Sequence, residues 1–237
     1  MEPTARYEDV RIPLHEPGHE LESVSGVLGI PEWWPTGSRV GVVLAHGQTR
    51  DKDDPQLVDL QRALTDRKVL SLRFNFPFAE AKRRRVDPLP VLERCLRSAL
   101  GVLGRDPSAA PAHIFVGGKN QGALAVAQLA AARLRFDGLF FLGFPLHPQD
   151  QPKAVRSESL FRIVAPMLFV QGARDRHCDL PTLRQTLARV GAPTQLHVVQ
   201  EADHAFRVAK KSGRTPEDVH REVLGVLEGW MQKILGE

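Results

Sequence analysis

Cysteine is scarce in this sequence, which contains only Cys95 and Cys178 among its 237 residues. Two cysteines this far apart, with no C-x-x-C pair, provide neither a disulfide framework nor a cysteine metal site. We therefore interpret both as free thiols of a protein from a reducing compartment. The thiol of Cys178 is interpreted as inert.

Long hydrophobic runs are also missing, although hydrophobic residues make up 42% of the chain. No apolar segment approaches the roughly 20 residues that a transmembrane helix needs. The first four residues, Met-Glu-Pro-Thr, do not begin a basic segment followed by an apolar one, as a secretory signal would. The sequence therefore predicts a soluble, cytoplasmic protein with no membrane partner.

The chain has no large excess of charge of one sign: it contains 32 Lys and Arg and 28 Asp and Glu, for a formal net charge of +4. Most of these charges are scattered along the sequence. A nucleic-acid-binding protein is expected to gather its positive charge on one face. The one dense basic run is Lys82–Arg85, and a solvated loop is the interpretation we favour for it. Nucleic-acid binding through this run is kept as an alternative, which a steep salt dependence would support.

Apolar runs alternate with amphipathic segments from residue 39 onward. This alternation predicts a mostly parallel central sheet with helices on both faces. The predicted strands are residues 39–44, 69–74, 114–116, 137–144, 167–170 and 195–199. The predicted helices are residues 54–67, 90–103, 122–133, 181–190 and 216–235.

Two further expectations concern organisation. Residues 8–30 are short, alternating and glycine-containing, which predicts an antiparallel hairpin at the sheet edge. The segment between the strands ending near 144 and starting at 167 is too short for a large lid, so we expect a site open to solvent. The length suits one core, and we predict a single domain over residues 1–237.

The segment that carries chemistry is Ile114–Leu124, with the sequence IFVGGKNQGAL. A buried strand enters a glycine-flanked turn and then a helix, which is the layout of the nucleophile elbow G-x-S-x-G with Asn120 in place of serine. In this layout the central side chain projects above the sheet at the amino end of a helix, where backbone N–H groups favour negative charge. A G-x-N-x-G match alone is weak evidence.

Chain order strengthens the match. Asp175 follows the strand at 167–170, and His204 follows the last strand, so that elbow, acid and histidine occur in the order of α/β-hydrolases. The turn after the first central strand contains His46-Gly47, and the N–H of Gln48 would provide half of an oxyanion hole. The N–H of Gln121 would provide the other half.

Simpler roles exist for the residues around the elbow. His204 alone could begin a helix, and Asp175 alone could cap one. Lys119 and Gln121 could be solvated neighbours. His46 is interpreted as structural. No paired spacing such as H-x-x-x-H occurs among the histidines near the proposed site, so we predict no metal and no cofactor there. These histidines are His46, His147, His177 and His204.

At these motifs the chain resembles the dienelactone-hydrolase-related group of α/β-hydrolases. This group includes the testis-expressed hydrolase-like proteins and subunit 3 of the NSL chromatin complex. The resemblance spans roughly residues 20–235 and implies an α/β-hydrolase fold with hydrolase activity, while the chromatin members imply a protein partner. It rests on residues 45–47, 74–77, 142–148, 169–175 and 202–206 together with the elbow.

Asparagine at the elbow departs from the serine of bacterial members. An amide nitrogen is a poor nucleophile because its lone pair is delocalised into the carbonyl. We therefore expect an impaired or non-catalytic hydrolase homologue that binds a small ligand or a partner. The alternatives are a hydrolase of small esters or lactones that uses His204 and Asp175, and an interaction or scaffold subunit. Deamidation of Asn120 to a carboxylate nucleophile is a further variant of the enzyme hypothesis.

Overall fold

The computed structural model describes residues 4–14, 21–132 and 134–236. Its centre is an eight-stranded sheet with the order β1-β2-β4-β3-β5-β6-β7-β8. The strands are β1 (Arg6–Pro13), β2 (Ser23–Ile30), β3 (Val40–Ala45), β4 (Leu70–Phe74), β5 (His113–Lys119), β6 (Gly138–Leu142), β7 (Met167–Gly172) and β8 (Thr194–Val199).

Six helices accompany the sheet within the described ranges. They are α1 (Pro55–Asp66), α2 (Pro77–Glu80), α3 (Leu89–Leu103), α4 (Gln121–Ala131), α5 (Leu180–Leu187) and α6 (Pro216–Leu235). The predicted helix at 216–235 has the same bounds in the structure. Its amino end is fixed by a capping box in which Thr215 and Asp218 satisfy each other's backbone N–H groups.

Strand pairing is mostly parallel, as predicted. Along the sheet order β4-β3-β5-β6-β7-β8, every neighbouring pair of strands is parallel. At the other end of the sheet, β1 pairs antiparallel with β2, and β2 pairs antiparallel with β4. The first two strands thus lie at one edge of the sheet; residues 15–20 between them fall outside the described ranges. The predicted α/β-hydrolase fold is confirmed.

The central strands are continuous apolar runs because both of their faces are covered. In β3 alternate residues point to opposite sides, with Val43 packing in one core cluster and Val42 in the other. Helices α3 and α4 cover the first cluster, and α1 and α6 cover the second. The sheet is therefore the middle of three layers, and its carboxyl edge is the place where loops from several strands meet.

Some element bounds differ from the sequence-based prediction. Strand β6 ends at Leu142, before residue 144, because Gly143 adopts a positive φ of 65°. Helix α4 ends at Ala131; Arg133, the predicted last residue, lies outside the described ranges. The prediction omitted α2, a single turn of four residues.

No helical lid covers the sheet. Between β6 and β7 the chain, described throughout this stretch, forms one short 3-10 helix, Leu160–Arg162. The predicted absence of a large lid is therefore confirmed. Among the described residues, no helix combines the length and apolar character required to span a bilayer.

A carboxylate at the end of α2 ties the edge strands to the turn after β4. Glu80 accepts hydrogen bonds from the Ser25 hydroxyl at 2.6 Å, the Asn75 amide at 2.9 Å and the Arg11 guanidinium at 2.8 Å. Burial alone would raise the pKa of Glu80, but these hydrogen bonds outweigh it and lower the pKa to about 2. The ionised carboxylate is thus the form that the fold stabilises.

This network predicts acid sensitivity. Because the pKa of Glu80 is lowered on folding from 4.5, its contribution to stability is present above that value and is lost as pH falls toward about 2. We expect Glu80→Gln to lower the free energy of unfolding at pH 7 by about 2 kcal/mol, allowing for solvent screening. Urea titrations between pH 7 and 2 should show the two proteins converging. Parallel curves over that range would contradict the assignment.

Candidate active site at the carboxyl edge of the sheet

Asn120 occupies the turn between β5 and α4. Its backbone has φ 52° and ψ −117°, a positive φ that is uncommon for any residue other than glycine. Its N–H donates to the carbonyl of Leu142 at 3.1 Å, which anchors the turn to the end of β6. The structure therefore places Asn120 at a strand-to-helix turn with strained backbone, as the elbow layout predicts.

The glycines on either side of this turn are required by close backbone packing. A Cβ added to Gly118 would lie 2.4 Å from the backbone of Gly122, and one added to Gly122 would lie 2.5 Å from the carbonyl oxygen of Ala45. Real Cβ atoms essentially never show such contacts. The G-x-N-x-G pattern is thus a steric requirement for bringing β5, α4 and the end of β3 together.

The two N–H groups predicted to form an oxyanion hole lie on adjacent loops. Gln48 follows the His46-Gly47 turn after β3, and Gln121 is the first residue of α4. Gly47 packs against Asn120, since a Cβ at Gly47 would be 3.1 Å from that of Asn120. Within the described part of the chain, neither N–H donates to a protein acceptor. Both remain free to bind a ligand oxygen.

Asp175 and His204 are in direct contact. The Nδ1 atom of His204 lies 2.6 Å from Oδ2 of Asp175, and the Asp175 side chain has no solvent exposure. We infer that Nδ1 carries the proton that it donates to the carboxylate. Nε2 of His204 then bears the lone pair, which is the arrangement of a general base.

Gln171, at the end of β7, was missed by the sequence analysis. Its Oε1 accepts the N–H of Phe144 at 3.0 Å, and its Nε2 donates to Oδ2 of Asp175. The N–H of His177 donates to the other carboxylate oxygen at 2.7 Å. Three donors therefore orient the Asp175 carboxylate. The available signal was a polar residue within an otherwise apolar, fully buried strand.

His204 is less open to solvent than predicted. Its Nε2 is buried and has no hydrogen-bond partner among the described residues. The ring of His177 lies against it, with centroids 4.6 Å apart and planes inclined by 47°. Burial and the neighbouring His204 both lower the pKa of His177. The expectation of a solvent-open site is therefore wrong at this atom, which is buried although no large lid lies between β6 and β7.

Asn120 and His204 flank the same strand end. The carbonyl of Leu142 accepts the Asn120 N–H, and a Cβ added to the next residue, Gly143, would be 3.5 Å from Nδ1 of His204. The side chain of Asn120 does not hydrogen-bond to Nε2. The structure thus brings the three predicted residues to one edge of the sheet, and a hydrogen bond joins Asp175 to His204.

Lys119, interpreted above as a possible solvated neighbour, is instead buried in an ion pair. Its Nζ lies 2.8 Å from Oδ2 of Asp54, and the two side chains are 11% and 3% exposed. The other oxygen of Asp54 accepts the N–H of Gln56 and so caps α1. Lys119, the residue before Asn120, is thereby fixed to the end of the loop that carries Gln48.

His46 and Cys178 lie near the site in structural roles. The His46 ring contacts the carbonyl of Gly47 at 2.7 Å through Nδ1 and accepts the N–H of Phe76 at 3.0 Å through Nε2. Burial lowers the pKa of His46 and raises that of the Cys178 thiol. Within the described ranges, no three His, Cys, Asp or Glu side chains form a group that could hold a metal ion.

Comparison with known proteins is consistent with this geometry. The sequence profile of the alpha/beta hydrolase domain matches residues 38–232. The chain belongs to the alpha/beta hydrolase domain family. The match includes the elbow, Asp175 and His204, and begins after the antiparallel edge strands.

Solved structures with the same fold cover nearly the whole chain. A dienelactone hydrolase from Anabaena variabilis is 19% identical with a TM-score of 0.72, over 97% of this chain and 98% of that one. A serine hydrolase homologue from Coxiella burnetii is 18% identical with a TM-score of 0.70, over 93% and 95%. A lidless serine hydrolase from Xanthomonas campestris is 19% identical with a TM-score of 0.67, over 98% and 96%. At these identities the likeness shows the fold alone.

Proposed function

We propose that this alpha/beta hydrolase is impaired in hydrolysis because Asn120 replaces the nucleophilic serine, and that its site binds a small carbonyl- or carboxylate-containing ligand. The observation that carries the proposal is the elbow backbone of Asn120, with φ 52° and ψ −117°, beside an Asp175–His204 pair that keeps its 2.6 Å contact. In this proposal Asn120, Asp175 and His204 hold the nucleophile, acid and base positions.

The chemistry of the amide supports binding over covalent catalysis. A serine hydroxyl loses its proton to histidine and attacks a carbonyl, whereas an amide nitrogen has no comparable lone pair to offer. Asn120 has two N–H donors and one oxygen acceptor for a bound ligand. The backbone N–H groups of Gln48 and Gln121 would donate hydrogen bonds to an oxygen of the ligand.

A second candidate is hydrolysis without an acyl-enzyme. His204 would remove a proton from water as the water oxygen adds to the carbonyl carbon. It would return that proton to the leaving alkoxide as the ester C–O bond breaks, giving an acid and an alcohol. The intact Asp175–His204 contact favours this candidate. The likeness to a dienelactone hydrolase supports small esters or lactones as the substrate class.

A scaffold role is a third possibility, supported only by the sequence resemblance to the testis-expressed proteins and subunit 3 of the NSL complex. Under that hypothesis the ligand at Asn120 would be a segment of a protein partner. One sheet carries every residue of the proposed site, which supports a single domain over residues 1–237. A cytoplasmic location stays a prediction from the sequence.

Intact mass provides a direct test of the proposal. After incubation with an activated ester such as p-nitrophenyl acetate, we expect no acyl group on the peptide that contains Asn120, because its amide cannot form the acyl bond. The same spectrum should show an unchanged asparagine, since Asn120 followed by Gln121 is not a pair prone to deamidation. An acetyl adduct on the elbow peptide would refute the proposal, and a gain of about one mass unit at Asn120 would favour a carboxylate nucleophile.

A further inference from the structure

A second cleft lies beside the Asp175 loop. One wall is formed by the loop after β6, residues 147–153, and the other by residues 173–182 with the first turn of α5. Its volume is about 730 Å³, which is large enough for a small organic molecule. Asp175 is shared with the proposed active site, whereas Asn120 and His204 are not among the lining residues.

A buried histidine fixes the two walls to each other. The backbone N–H of His147 donates to the carbonyl of His177 at 3.1 Å. The Nε2 atom of His147 accepts the N–H of Asp179 at 3.0 Å, and Nδ1 contacts the carbonyl of Pro148 at 2.9 Å. Both ring nitrogens are therefore engaged in holding backbone. The cleft is thus built into the fold before any ligand binds.

Cations line both walls. Lys153 belongs to the first wall, and Arg174 and Arg176 belong to the second. Arg174 forms an ion pair with Glu201 at 2.6 Å. No carboxylate within the described ranges forms an ion pair with Lys153 or Arg176, and both side chains are exposed. These two residues are free to bind an anion.

The carboxylates of the cleft are already engaged. Asp175 accepts from His204, Gln171 and a backbone N–H, as described above. Asp179 accepts the hydroxyl of Thr182 at 2.6 Å and its N–H at 2.9 Å, which caps α5. These groups repel a bound anion weakly because their charge is partly balanced by donors, so Lys153 and Arg176 are the side chains that decide what binds.

We propose that this cleft binds a phosphate monoester through Lys153 and Arg176. A phosphate monoester carries about −1.5 to −2 charge at pH 7 and has three terminal oxygens, enough to contact cations on two walls at once. Arginine binds two of those oxygens through its planar fork, and lysine binds the third as a point charge. A carboxylate has one charge and two oxygens, which a single arginine satisfies. This inference does not depend on the proposed function of Asn120.

Calorimetric titration with phenyl phosphate tests the proposal on the natural protein. We expect saturable one-site binding at low ionic strength. Lys153→Gln and Arg176→Gln should each weaken binding by at least about tenfold, since the lysine contributes one charge-assisted hydrogen bond and the arginine two. The double variant should show no saturable binding. Both side chains are exposed, so the variants should unfold at the natural midpoint.

Arg84→Gln/Arg85→Gln is the matched control, because it removes two exposed cations far along the sequence from the cleft. It should bind phenyl phosphate like the natural protein. If this control weakens phenyl phosphate binding as much as the cleft variants do, the binding reflects general electrostatic attraction and the proposed phosphate site is wrong. Benzoate that binds as tightly as phenyl phosphate, and that is weakened equally by Lys153→Gln and Arg176→Gln, would overturn the phosphate assignment of the cleft. An acetyl adduct on the elbow peptide of the natural protein, with phenyl phosphate still bound in the cleft, would count against the proposed function alone.

Discussion

Asn120→Ser is expected to raise the rate of hydrolysis of simple activated esters by on the order of 10²- to 10⁴-fold over the natural protein. In the proposed site the remaining parts of a serine hydrolase would be in place, since Asp175 contacts His204 at 2.6 Å and the Gln48 and Gln121 N–H groups have no acceptor among the described residues. The introduced hydroxyl needs only to reach Nε2 of His204. Initial rates with p-nitrophenyl acetate and butyrate, measured at equal concentrations of folded protein, provide the comparison.

The control for this gain is Asn120→Ser/His204→Ala, which should return to the natural rate because the hydroxyl loses its base. Asn120→Ala should not gain activity, which separates the new nucleophile from mere loss of the amide. A natural protein that already hydrolyses these esters rapidly, and keeps doing so as His204→Ala, would show that the site is assigned to the wrong residues. If Asn120→Ser remains folded but hydrolyses no ester, we would conclude that the site serves for binding alone.

Lys119→Met should reduce the free energy of unfolding by about 3–5 kcal/mol, the largest stability effect expected from the ion pairs described. Methionine fits the space of the lysine stem but leaves the Asp54 carboxylate buried without its partner, and a buried unpaired charge is strongly disfavoured. The pair is held at 2.8 Å with both side chains nearly inaccessible. Urea denaturation monitored by circular dichroism measures the loss.

Lys119→Met/Asp54→Asn provides the matching control. The second change removes the stranded charge and leaves an amide oxygen that can cap α1, because asparagine is as good as aspartate at that position. The double variant should therefore be more stable than Lys119→Met alone. If the free energy of unfolding of Lys119→Met lies within about 0.5 kcal/mol of that of the natural protein, water reaches Asp54 freely and the ion pair contributes little to stability.

Much of the fold was predictable because its signals are local. The strands β3 and β6 are apolar on both faces, and the helix at 216–235 follows a threonine cap and ends before a glycine. The elbow was predictable in part for the same reason, since Gly118 is required by its contact with the nearby backbone of Gly122, whereas Gly122 is required by the distant residue Ala45. Chain order then sufficed to select Asp175 and His204.

The parts that escaped prediction are tertiary. Lys119 and Asp54 are 65 residues apart, and no local pattern marks a lysine beside an elbow as buried. The His177 ring, which lies against that of His204, is placed by backbone hydrogen bonds of His177 with Asp175 and His147. Gln171 lies one residue beyond the predicted strand at 167–170, and its role depends on two partners, Phe144 and Asp175, of which Phe144 is distant in sequence.

The three donors that hold Asp175 have a consequence for how this site changes over evolutionary time. Gln171 and the His177 N–H bind the carboxylate whatever residue stands at the elbow, so the aspartate also organises the loop after β7. A lineage that lost the nucleophile would still be selected against losing the aspartate, because its removal strands buried donors. An acid–histidine pair in a relative of this chain is therefore weak evidence that the relative is an enzyme. The residue at the elbow is the better indicator of catalytic activity.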